Sequence, residues 1–217
     1  MRDTVVKRLT EFAEEDCNAI VVAGDLGYGA FDKFREKFPG RFLNAGICEQ
    51  AMASIAAGMA LEGKKVFMYS IGNFSTLRCI EQIRNDICYH QADVTVIASG
   101  GGFSYGSLGM SHHATEDLAM MRSLPGMRVY VPADTWEADA AIQECCARHV
   151  PCYLRLGKGS QQVHKESLPC RMVEKALLIR KGKDACIFAS GTVLQEAAAA
   201  AQMLSAQGIS VELYSFC

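Results

Sequence analysis

Glu49 is the side chain in this sequence most in need of a partner. It opens the predicted helix within "NAGICEQAMASIAAGMALEG" (44–63), whose only other charge, Glu62, sits beside Gly63 at the far end. A helix of Ala, Met, Ile and Gly around it is apolar on every side and is expected to be buried all round. A buried carboxylate is costly unless something pairs with it. No Lys or Arg lies within a helical turn of Glu49, so its partner is distant in sequence or is not protein. Burial among Ala and Met would favour a protonated carboxyl, able to donate a hydrogen bond. The alternative is an acid placed at a helix N-terminus for the helix dipole.

A second concentration of chemistry is "SGGGFSYGSLGMSHHATED" (99–117). It holds five glycines, His112 and His113, and the acidic pair Glu116 and Asp117 where the next helix starts. Glycines let a backbone approach a ligand closely. The G-x-G-x-x-G pattern breaks at Tyr105 and there is no Walker lysine, so neither a dinucleotide nor a phosphate loop follows from the glycines. A ligand loop and a mobile surface loop both remain open.

Ten cysteines among 217 residues contain no C-x-x-C pair, and five histidines contain no H-x-x-x-H. Buried free thiols in a reducing compartment are expected rather than zinc or disulfides. Half of the chain is hydrophobic, 21% is charged and the net charge is −2, which gives no sign of a nucleic-acid or membrane-surface partner. The charged amphipathic opening "MRDTVVKRLTEFAEED" is unlike a signal peptide, so a soluble, cytoplasmic protein is expected.

The elements that must position these residues alternate along the chain. Strands are predicted at 19–25, 64–70, 93–99, 127–133 and 152–156, each a short β-branched or aromatic run between turn residues. Helices are predicted at 3–16, 47–62, 74–90, 114–123 and 134–149. The third carries a core stripe at 77, 80, 83 and 87, and the last opens with Asp134 and Glu137 at capping-box spacing. Such alternation predicts an α/β fold, a mostly parallel sheet with helices on both faces. The expected division is a first domain over 1–160, a polar linker over 161–183, and one more βαβ unit over 184–217. That unit is too small to bury its own faces, so it leans on the first domain or belongs to a C-terminal domain cut short. In open parallel sheets ligands sit beyond the carboxyl ends of the strands. That rule selects Asp25, 70–74, 100–113, 132–134 and 155–159.

Taken together, "NAGICEQAMASIAAGMALEGKKVFMYS" (44–70), "EQIRND" (81–86), "GMSHHATEDLAMMRSLPGMRVYVPAD" (109–134) and "PCYLRLGKG" (151–159) resemble the pyrimidine-binding domain of transketolase. The likeness is strongest to the separate C-terminal subunit of split transketolases and runs from Arg2 to Gly159, continuing weakly into the tail. As a set these motifs are specific to thiamine-diphosphate enzymes of the transketolase and deoxyxylulose-phosphate synthase group.

The resemblance implies a role for each matching residue. Glu49 matches the glutamate that hydrogen-bonds a ring nitrogen of the cofactor's aminopyrimidine and so promotes the ylid that attacks a ketose. Phe74 matches the aromatic stacked on that ring, although a lone Phe after a strand is also ordinary core. Asp25 matches an aspartate near the cofactor, with a turn cap as its alternative. His112 matches the histidine that contacts donor-sugar hydroxyls and assists proton transfer, with His113 in support. Arg2 and Arg155 match two arginines that hold the substrate phosphate, though solvated surface arginines need no such role.

There are departures from the family pattern. Leu108 replaces the aspartate that reads a sugar hydroxyl, Ile71 replaces an aromatic, and Gly29 and Gly100 stand at phosphate-contacting positions. The lost hydrogen bond points to a modified, deoxy or non-phosphorylated sugar. The family's diphosphate and Mg²⁺ sit on another domain, marked by G-D-G and a later Asn, and "AGDLG" is the nearest approach here. The resemblance therefore implies a diphosphate-binding N-terminal transketolase subunit as partner, holding the Mg²⁺, in a symmetric α₂β₂ assembly. Small residues four apart (Ala53 and Ala57, Ser54 and Gly58) would allow close helix approach there, as they would in any tight core. The expected activity is transfer of two-carbon ketol units between sugars. A deoxyxylulose-phosphate-synthase-like or acyloin synthase subunit, and a non-catalytic assembly subunit or truncated remnant, are the rivals.

Overall fold

The computed structural model describes residues 1–159 and 162–217. Its larger sheet has six strands in the order β2-β1-β3-β4-β6-β5, all parallel: Ala19–Ala23 (β1), Phe42–Asn44 (β2), Lys65–Ile71 (β3), Val94–Ser99 (β4), Arg128–Tyr130 (β5) and Cys152–Leu156 (β6). Every residue of β3 is buried, as a central strand covered on both faces requires.

Side chains of successive strand residues point to opposite faces. Val21, Phe67, Tyr69, Ile97 and Leu154 pack with helices Arg2–Glu15 (α1), Asp32–Lys37 (α2) and Thr135–Ala147 (α6). Val22, Val66, Met68, Val96 and Tyr153 pack instead with Glu49–Leu61 (α3), with Ile80–Gln82 (α4) and the π-helix Ile83–Cys88 that continues it, and with Asp117–Ser123 (α5).

A smaller sheet, ordered β7-β9-β8, is formed by Leu177–Arg180 (β7), Ala185–Ala189 (β8) and Val211–Ser215 (β9), with Leu194–Ala206 (α7) between the last two. β8 and β9 are parallel, the expected βαβ unit, while β7 runs antiparallel to β9. Ala133 of the larger unit joins Leu194, Leu213 and Ala189 of the small one in a shared apolar cluster.

Several expectations need correcting. The stretch expected as a linker carries a 3₁₀ turn, Cys170–Glu174, and all of β7; its first residue, Gln161, lies outside the described residues. Short runs such as "LLIR" become strands only through a partner, here β9. The short elements α2 and β2 carry no local signal for the same reason.

The helix expected from residue 74 begins with a 3₁₀ turn at Leu77–Cys79, and Leu77 is 49% exposed, so the core stripe starts at Ile80. Helix α3 is not buried all round. It buries Glu49, Met52, Ala53, Ala56 and Ala57, and leaves Ala51, Ser54, Ile55, Gly58 and Leu61 exposed. Its composition is apolar on both sides, so only packing distinguishes them. All ten cysteines are free thiols, but Cys17, Cys48 and Cys186 are exposed. Among the described residues no helix is long and apolar enough to cross a membrane.

Candidate functional site

The carboxyl ends of β1, β3 and β4 converge with the first turn of α3. Glu49 is the first residue of α3 and is 1% exposed. Its Oε2 accepts a hydrogen bond from Nη1 of Arg78 at 2.6 Å, and its Oε1 is buried with no hydrogen-bond partner among the described residues. The partner demanded by the sequence is thus a cation 29 positions away. A Cβ on Gly24 would lie 3.5 Å from Glu49 Cγ, so the end of β1 approaches the acid backbone-first. Cys79 lies beside the pair; burial, reinforced by Glu49, pushes its thiol up to about 12.

The guanidinium of Arg78 also covers Phe74, with Cζ 4.3 Å from the ring centroid. Arg78 follows Phe74 by four residues across the turn that opens the next helix. Phe74 is half-buried and meets the ring of His112 edge-on at 5.0 Å, and His112 is in turn 5.6 Å from Tyr105. Ser111 Oγ lies 2.9 Å from His112 Nδ1, while Asn73 Nδ2 donates to the Ser111 carbonyl at 2.7 Å and ties the two loops together. Glu49, Arg78, Phe74 and His112 therefore form one continuous line.

The glycine-rich loop has structural reasons for its composition. Gly100 has φ +79°, and a Cβ there would lie 2.3 Å from the ring of Tyr105. A Cβ on Gly101 would lie 1.9 Å from Arg155 Nε. The loop closes through paired backbone bonds between Gly102 and Ala114. His113 turns away from His112: its Nε2 is 2.9 Å from the Gly106 carbonyl, and its ring meets Phe103 at 5.1 Å.

Asp25 takes up φ +52° just past β1 and accepts from Tyr28 Oη at 2.6 Å and Asn44 Nδ2 at 2.9 Å. The Tyr28 hydroxyl, then the Asn44 amide, hold its carboxyl below the usual range. Asp25 adjoins Gly24 and so the Glu49 stem. Arg155 is turned inward: Nε lies 2.8 Å from Asp117 Oδ2, and Nη2 donates to the Ala114 carbonyl at 2.9 Å. Asp117 is fully buried and also accepts from Tyr153 Oη at 2.7 Å. Arg2 is exposed and donates from Nε to Asp3; it lines a cavity of about 480 Å³ with Lys7, Gly29 and Lys33, apart from the line through Glu49. Leu108 is exposed beside the histidines.

Sequence reasoning missed Arg78 and Asn44, and noted Asp117 without its pairing to Arg155. Only Arg78 left a local signal, its spacing of four from Phe74, at which side chains meet when the backbone turns helically.

This fold has close counterparts among known proteins. Residues 1–162 match the family model "Transketolase, pyrimidine binding domain", and residues 174–216 match "Transketolase, C-terminal domain". The chain belongs to the transketolase family. It is 33% identical over 98% of its length to the 6-deoxy-6-sulfo-D-fructose transketolase subunit SqwH of Clostridium sp. (strain MSTE9), covering 66% of that protein. It is 31% identical over 98% of its length to an apulose-4-phosphate transketolase subunit of Phocaeicola vulgatus, covering 69% of it. A solved structure described as a split gene transketolase, inactive beta4 tetramer, superimposes with a TM-score of 0.86 at 34% identity, over 99% of this chain and 70% of that one. The chain thus spans about two thirds of the length of these relatives.

Proposed function

We propose that this chain supplies the aminopyrimidine-binding half of a thiamine-diphosphate enzyme that transfers two-carbon ketol units between sugars. The observation that carries the proposal is the buried, unpaired Oε1 of Glu49, whose other oxygen is joined through Arg78 to a half-buried aromatic ring. A buried polar atom without a partner is rare and calls for a ligand or a function. A heteroaromatic ring with a basic nitrogen fits both features: Oε1 for the nitrogen, and the Phe74 ring for the face.

Glu49 would hold the ring and the proton shared with its nitrogen, and Phe74 would fix the ring plane. His112, edge-on to Phe74, would take or return a proton at a sugar hydroxyl. Asp25 would support the Gly24 approach to Glu49, with His113 bracing the loop. Arg2 and Arg155 would serve substrate binding, Arg155 from its seat on Asp117. When bound, the cofactor supplies a carbon nucleophile that no side chain offers.

Among the described residues no cluster of His, Cys, Asp or Glu could hold a metal ion. The diphosphate and its Mg²⁺ are assigned to a partner subunit, in an α₂β₂ assembly. Relatives whose names specify 6-deoxy-6-sulfo-D-fructose and apulose-4-phosphate support a modified sugar as substrate, as does Leu108 in place of an acid. A 1-deoxy-D-xylulose-5-phosphate synthase of Lawsonia intracellularis, 32% identical over 91% of this chain and covering 31% of that enzyme, keeps a second acceptor chemistry in view.

The test is purification of the chain from its own cells with its bound partner, then product analysis with thiamine diphosphate and Mg²⁺. Ketol transfer from a ketose or modified ketose is expected. Product from pyruvate and an aldehyde acceptor, in place of a ketose donor, would favour the synthase, and a chain without partner or turnover would leave an assembly role.

A further inference from the structure

Two side chains of the line through Glu49 share one cation, and the proposed function gives that cation no part. Arg78 Nη1 binds Glu49 Oε2 at 2.6 Å, and its Cζ sits 4.3 Å over the Phe74 ring. Its side chain is 43% exposed while that of Glu49 is 1% exposed, so the arginine reaches from the surface to a buried acid. An arginine needed only for solubility would stay in water, and one needed only to neutralise an acid would have no reason to lie on the aromatic. A guanidinium is planar and rigid, donates along fixed directions and stacks on rings, so one placement constrains both neighbours.

We propose that Arg78 is a positioning residue of the cofactor site: from its seat on Phe74 it holds Glu49 by Oε2 and so leaves Oε1 alone for the ring nitrogen. The proposal rests on the assignment of Glu49 and Phe74 to an aminopyrimidine. A carboxylate can turn about its last bond and present either oxygen. With Oε2 fixed, and the Glu49 stem beside Gly24, only one oxygen is available and its direction is set. The same guanidinium fixes the Phe74 ring that His112 abuts. Lysine can reach Glu49 as a point charge but cannot lie flat on Phe74 or donate along a fixed plane.

The experiment measures thiamine diphosphate affinity in the assembled complex, with Mg²⁺, by calorimetry rather than by turnover. The variants are Arg78→Ala, Arg78→Lys, Arg78→Gln, Glu49→Gln and the Arg78→Ala/Glu49→Gln double variant, and thermal unfolding establishes that each is folded. Arg78→Ala is expected to weaken binding about ten-fold or more, with Arg78→Lys recovering part of the loss. The double variant should bind no more weakly than the weaker single variant, because both changes remove one coupled contact. Binding by folded Arg78→Ala or Arg78→Gln within about two-fold of the parent would overturn the proposal, as would losses that multiply in the double variant. If Glu49→Gln itself binds like the parent, the assignment of Glu49 has failed and Arg78 has nothing to position. If only the arginine variants bind like the parent, the assignment of Glu49 stands and the role of Arg78 falls.

Discussion

Glu137 joins the two sheets, and its removal should cost the fold more than any surface change. It is fully buried on α6. Oε2 accepts from the Ala133 backbone N–H at 2.8 Å, and Oε1 accepts from Ser215 Oγ of β9 at 2.5 Å and from His164 Nε2 at 2.6 Å. Glu137→Ala strips three donors of their acceptor. The backbone N–H cannot move and loses about 1.5 kcal/mol; the hydroxyl can rotate and loses about 1 kcal/mol. Broken pairing with His164 adds about 1 kcal/mol, giving a total of about 3.5 kcal/mol, in the range found for breaking buried pairs. That is a large share of a typical stability of about 5–15 kcal/mol.

The pH dependence has a definite sign. Burial acts to lower the His164 pKa, but the hydrogen bond and charge of Glu137, with Asp134 behind it, outweigh burial and raise it. The stabilisation is therefore complete below the unfolded value near 6.5 and is lost as pH rises through the raised folded value. Urea unfolding followed by far-ultraviolet circular dichroism at a series of pH values from about 6 upward tests both points. Glu137→Ala should lose about 3.5 kcal/mol at about pH 6 and less as pH rises through the raised folded value of His164, where the charged part of the pairing is lost. A loss below about 1 kcal/mol, or a loss that stays equal across the series, would refute the account of this junction.

Two further substitutions probe the loop over the site. Gly101→Ala should drive Arg155 off Asp117, since its Cβ would lie 1.9 Å from Nε. The expected destabilisation is about 3 kcal/mol; a melting temperature equal to the parent's would show that Arg155 is not seated on Asp117. Leu108→Asp, at an exposed position, should leave stability within about 0.5 kcal/mol. If position 108 contacts sugar, the same change should shift the kcat/KM ratio between hydroxylated and deoxy donors by about ten-fold, and an unchanged ratio would remove Leu108 from the substrate site.

The parts legible in the sequence were those specified locally. Runs such as "KKVFMYS" and "DVTVIAS" are β-branched or aromatic between turn residues, and they became β3 and β4. Asp134 was readable as a cap, and Oδ1 does accept from the Trp136 and Glu137 backbone N–H groups. Glu137 departs from capping-box geometry by accepting from Ala133 rather than from Asp134, because Ser215 and His164 draw it towards the second sheet. Glu49 could be recognised as a buried acid from its neighbours, but Arg78 could not be recognised as its partner, since the pairing depends on where α3 meets the turn after β3. Likewise the inward turn of Arg155 follows from the burial of Asp117 and from the space left by Gly101, two features set by tertiary packing. The exposed side of α3 was illegible because Ile55 and Leu61 are as apolar as the residues on its buried side.

The central claim is that Glu49 serves a thiamine-diphosphate reaction completed by a partner subunit. The most direct test is turnover of ketol transfer by the purified complex carrying Glu49→Ala, with assembly monitored by light scattering. Loss of about a hundred-fold or more in kcat with assembly intact is the predicted result. A complex that assembles and turns over like the parent would contradict the claim and leave the chain a scaffold.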